Sequence, residues 1–146
     1  PDGSTGWDLV YRAQDRLNLA TLYLGPDWAD AQVALHAVPG ERGNGWLLEV
    51  QGTAGRQTVL HTPPLDPAAG PVTAGGLSTT GLALSLRRPA AGPAEVCYVG
   101  GSEVRVALDR EPAGVLGEGV SWSWSDGVLV LKLDEVGSAG CVEVQE

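Results

Sequence analysis

The chain has 146 residues, 43% of them hydrophobic and 18% charged, a balance that excludes intrinsic disorder and is enough for one domain with a sizeable core. Its formal net charge is −9, with eight arginines and Lys132 as the only lysine, so the surface repels phosphate backbones and direct nucleic-acid binding is not expected. No run approaches the roughly 18–20 apolar residues of a membrane-spanning helix, and an interior with no Phe and no Met must be built mainly from Val, Leu and Ala, which suits pleated sheet.

In chain order, the first segment fits two periods. From Trp7 to Leu24, residues Leu9, Val10, Ala13, Leu17, Ala20 and Leu24 recur at spacings of three and four, the stripe of an amphipathic helix. Thr5 suits the N-cap, Asp8 the positive first turn, and Gly25-Pro26 a stop. The alternation of a strand is weaker, being confined to Leu17–Leu24. A helical segment over about 6–31 is therefore expected, with a last turn capped by Asp27, and Leu9, Ala13, Leu17, Ala20 and Leu24 are its packing residues against a sheet. Trp7 and Trp28 flank it and are expected to pin it there.

From residue 33 to 146 the pattern is that of antiparallel sheet. Short apolar runs at Val33–Val38, Trp46–Gln51, Gln57–His61, Leu82–Arg87, Glu95–Val99, Glu103–Leu108, Val120–Trp124, Val128–Leu133 and Cys141–Gln145 are separated by Gly, Pro, Asn and Asp clusters. Gly43-Asn44-Gly45, Gly100-Gly101 and Ser125-Asp126-Gly127 read as hairpin turns, the Asp-Gly pair most strongly. The Pro/Gly/Ala/Thr stretch between Pro63 and Gly81 reads as a connection over a sheet face, with a binding loop as the other choice. The fold expected is α+β in one domain, a helix packed on antiparallel sheet, with an all-β sandwich as the alternative.

No motif of catalysis is present. His36 and His61 sit in alternating strand patterns without a partner at metal-ligand spacing. Ser121, Ser123 and Ser125 alternate with tryptophans and lie in no nucleophile elbow. The glycine groups match no phosphate-binding loop, and the carboxylates are scattered. Arg87 and Arg88 form a small basic patch or, more simply, a solvated corner. A non-enzyme is expected, with no cofactor and no metal. Trp122 and Trp124, two apart on one strand, share a face; they are either core residues in a chain lacking Phe or a platform for stacking a ligand's rings. Cys97 and Cys141, both in strand-like segments, are either a disulfide, which implies an oxidising compartment, or two buried thiols.

Three stretches resemble minor type IV pilins and type II secretion pseudopilins. They are residues Asp15 to Ala31, similar to the segment after the pilin membrane helix, the Cys-Tyr strand Glu95–Val99, and Leu116–Val120 before a late strand. The chain opens at Pro1 without an initiator Met, as a processed or truncated form would, and it lacks the family's apolar N-terminal helix. The resemblance implies a filament assembly subunit with other pilin or pseudopilin subunits as partners. It also implies an inner-membrane anchor through the missing helix and an extracytoplasmic location, in the periplasm or on a surface filament. A second resemblance, carried by Val104–Leu133 with its Trp-Ser-Trp-Ser-Asp-Gly turn, is to the terminal β-sandwich domains of some glycoside hydrolases. It implies a non-catalytic accessory or carbohydrate-binding domain of a larger polysaccharide-active enzyme.

Overall fold

The structure, a computed structural model, describes residues 5–13, 16–24, 28–39, 45–62 and 70–146. The described residues form fourteen strands in three antiparallel sheets. These are β1 (Thr5–Ala13), β2 (Arg16–Leu24), β3 (Gln32–Val38), β4 (Gly45–Gly52), β5 (Gly55–His61), β6 (Val72–Ala74) and β7 (Leu77–Thr79). They continue with β8 (Ala83–Pro89), β9 (Ala94–Val99), β10 (Glu103–Ala107), β11 (Gly114–Leu116), β12 (Val120–Ser125), β13 (Val128–Leu133) and β14 (Ala139–Gln145). The all-β alternative thus describes the fold better than α+β.

The expected helix over 6–31 is not formed. Strands β1 and β2 pair as a hairpin, with Leu9 opposite Ala20, Arg12 opposite Leu17, Ala13 opposite Arg16 and Thr5 opposite Leu24. The supposed packing stripe of Leu9, Ala13, Leu17, Ala20 and Leu24 is therefore divided between two strands. The physical reason is that apolar residues occur here at both odd and even positions, so spacings of three and four arise without a helix. The proposed Asp27 cap and Gly25-Pro26 stop lie outside the described residues; Trp28 begins a single turn, closed by Ala31 N–H donating to the Trp28 carbonyl at 3.0 Å. A helix laid on a sheet is the defining part of the pilin resemblance, and its replacement by a hairpin overturns that resemblance.

A seven-stranded sheet in the order β11-β14-β9-β8-β5-β4-β3 and a five-stranded sheet in the order β12-β13-β10-β7-β6 share one apolar core. Strand alternation sends every second side chain inward. Leu47, Leu60, Leu84 and Tyr98 line up across β4, β5, β8 and β9. Leu77, Val106 and Leu129 do the same across β7, β10 and β13. Both rows belong to the same buried cluster. Each fully buried leucine contributes about 1.5–3 kcal/mol.

The nine strand expectations from residue 33 onward are met within a residue or two at their ends. The Asp126-Gly127 turn closes the β12–β13 hairpin with φ of 52° and 79°, the positive values of the tight two-residue turn. Gly100-Gly101 does not make a hairpin. The chain there leaves the seven-stranded sheet and enters the other, so β9 and β10 are not neighbours. The Gly43-Asn44 turn and residues 63–69 of the expected connection lie outside the described residues. The rest of that connection holds the β6–β7 hairpin, turned by Gly75-Gly76 at φ of 57° and 75°. Gly81 ties the sheets together: its N–H donates to the Thr79 hydroxyl at 2.9 Å, and its carbonyl accepts from the buried Thr62 hydroxyl at 2.6 Å.

Candidate functional site

The solvent side of the five-stranded sheet is where polar chemistry converges. Val104 and Val106 of β10 face the core, so Glu103, Arg105 and Ala107 face outward. Register then aligns one row across all five strands. Ser123 stands opposite Val130, Val130 opposite Arg105, Arg105 opposite Ser78, and Ser78 opposite Thr73. The Thr73 hydroxyl donates to the Ser78 hydroxyl at 2.9 Å, and Arg105 Nε donates to Glu103 Oε1 at 2.7 Å. That ion pair fixes the guanidinium over the sheet while leaving the Arg105 side chain more than half exposed.

A shallow groove of about 470 Å³ runs along this row. Its floor is apolar, Val128, Val130 and Ala107, and its rim carries Thr73, Ser78, Arg105, Ser125 and Asp126. The Ser125 hydroxyl donates to Asp126 Oδ2 at 2.9 Å, which orients the turn carboxylate at one end. Such a surface offers hydroxyl donors and acceptors, a charged donor and a small apolar floor.

The tryptophan pair lies on the other face of the same edge strand. Trp122 stands opposite Leu131 and Trp124 opposite Leu129, both core-facing leucines. Trp124 packs against the core cluster, while Trp122, at the rim of the sandwich, is 41% exposed. The alternating Ser121, Ser123 and Ser125 point to solvent on the groove side. The histidines are on the other sheet: His36 on β3, with Nε2 3.3 Å from Glu49, and His61 on β5, stacked on Trp46. Serines and histidines flagged in the sequence are therefore not brought together. Arg88 donates to Glu146 at 3.2 Å and lines a second cleft, of about 400 Å³, with Arg110.

Cys97 and Cys141 stand directly opposite each other on β9 and β14 and form a disulfide, with Cα atoms 4.0 Å apart. The bond fits an oxidising compartment and hence an extracytoplasmic location. Among the described residues no helix is long and apolar enough to cross a membrane. Trp28 packs not on a helix but on a second apolar cluster around Leu48 and Val50, on the outer side of β3 and β4.

Sequence reasoning missed Arg105, Ser78 and Thr73, because each is an ordinary polar residue until strand order places them in one row. No protein family, no curated protein and no solved structure matches this chain.

Proposed function

We propose that this chain is a non-catalytic β-sandwich accessory domain that binds carbohydrate on the outer face of its five-stranded sheet, as part of a larger polysaccharide-active protein. The single observation behind this reading is the register-aligned row Val130, Arg105, Ser78 and Thr73, which lines a groove of about 470 Å³. Sugar hydroxyls exchange hydrogen bonds with the serine and threonine hydroxyls, and the Arg105 guanidinium donates to a ring or hydroxyl oxygen. The C–H face of a pyranose rests on Val128 and Val130. Trp122 projects from the core side of β12 and takes no part in this groove. The net charge of −9 fits neutral glycans better than acidic ones.

Affinity electrophoresis through gels containing soluble polysaccharides tests the reading. The chain is expected to be retarded by at least one neutral glycan, and Arg105→Ala or Ser78→Ala to weaken that retardation about tenfold. Migration unaffected by every polysaccharide, or retardation unchanged in Arg105→Ala, would overturn it.

A further inference from the structure

The outer face of the seven-stranded sheet, remote from the sugar groove in register and on the other sheet, carries a compact group of metal-ligand chemistry. On the β9–β14 ladder Cys97 stands opposite Cys141, and two residues along, on the same face, Glu95 stands opposite Glu143. Ligand atoms of Glu95, Cys97 and Cys141 all lie within 4.8 Å of one another, and Glu95 Oε1 approaches Cys97 Sγ to 3.1 Å. A second feature points the same way. Glu95 and Glu143 are like charges set directly opposite across a strand pair, an unfavourable arrangement that a cation relieves.

We propose that reduction of the Cys97–Cys141 disulfide creates a site for a thiophilic divalent cation such as Zn²⁺ or Cd²⁺, held by the two thiolates and the Glu95 carboxylate. A water completes the tetrahedron. The sheet preorganises the ligands without the sulfur–sulfur bond. Between the two ligand pairs, Val96 and Val142 are opposite each other and buried, and six register pairs hold β9 to β14. A dithiol reductant supplies two electrons and two protons, becomes a disulfide itself, and leaves two protein thiols. Binding of the cation then forms two metal–sulfur bonds and releases the two thiol protons to solvent. Soft sulfur donors with one carboxylate select zinc-like ions over Mg²⁺ or Ca²⁺.

The test is a Cd²⁺ titration of the chain before and after reduction by a phosphine, followed by the ultraviolet sulfur-to-cadmium charge-transfer band, with circular dichroism recorded throughout. The expected result is one equivalent bound by the reduced chain, none by the oxidised chain, and an affinity at least tenfold weaker in Glu95→Gln. That variant keeps its disulfide, so its fold is verified in the oxidised form before reduction. Reduced wild type binding no more Cd²⁺ than oxidised would overturn the site, and so would loss of the sheet spectrum on reduction without binding. Equal affinity in Glu95→Gln would also overturn it, leaving a bare dithiol in its place.

Discussion

The indole of Trp46 lies flat against the imidazole of His61, ring centroids 4.9 Å apart and planes inclined by 6°. The two residues are direct cross-strand partners on β4 and β5. Burial lowers the His61 pKa from its ordinary value. A histidine with a depressed folded pKa takes up its proton more readily when the chain unfolds. Its contribution is therefore complete above the unfolded value of about 6.5 and is lost as pH falls through the lower folded value. Thermal unfolding at about pH 7.5 and about pH 5 is expected to show a lower midpoint in acid, and His61→Gln to shrink that difference. An identical pH dependence in His61→Gln would mean that other groups carry it.

The disulfide closes a loop of 44 residues between two strands of one sheet. Loop-closure entropy for that length gives about 4 kcal/mol, or roughly 10–15 °C in Tm for a chain of this size. Cys97→Ser with Cys141→Ser is expected to lower the unfolding midpoint by that order while leaving the far-ultraviolet spectrum of the folded form unchanged. A change of only a degree or two would show that the ladder of Val96 and Val142 already supplies the constraint.

Leu60 stands fully buried between Leu47 and Leu84 in the inner row of the larger sheet. Leu60→Ala removes the Cγ and both Cδ methyls from a packed site and is expected to cost about 2–5 kcal/mol in denaturant unfolding. Val136, 75% exposed, is the matched control, and Val136→Ala is expected to stay within about 0.5 kcal/mol of wild type.

The Asp126-Gly127 turn needs positive φ at both residues. Gly127→Ala strains the backbone there and is expected to cost about 1 kcal/mol or more, whereas Asp126→Asn, which tolerates the same conformation, is expected to be close to neutral. Chemical denaturation of the two variants separates a turn effect from a loss of the Asp126 carboxylate.

Much of the sandwich was legible because its strands alternate cleanly between core and solvent. Val104 and Val106 against Glu103, Arg105 and Ala107 fix both period and face, whereas in β13 only Lys132 marks the outer side. The first two strands were not legible. Apolar residues stand at Leu9 and Val10, and again at Leu22, Tyr23 and Leu24, so no single face marks a strand and a helical spacing emerges by coincidence. Short elements were missed for another reason. The three-residue strands β6 and β7 carry too little pattern to be told from a loop, and only their pairing defines them. Sheet membership was equally hidden at Gly100-Gly101, since a glycine pair fits a hairpin and a change of sheet alike. The groove depends on strand order, β12-β13-β10-β7-β6, in which the sheet neighbours β7 and β10 are separated by β8 and β9 in sequence. No local signal encodes that order.

The central claim is that the solvent face of the five-stranded sheet binds sugar. Amide and side-chain chemical shifts of the isotopically labelled chain, followed through titration with oligosaccharides cut from the glycan that retards it, test this most directly. The account predicts shifts concentrated at Thr73, Ser78, Arg105, Ser125, Asp126 and Val130, with Val33, Leu48 and Val59 on the opposite sheet unmoved. Shifts confined to the β3–β5 face, or none at saturating sugar, would contradict it.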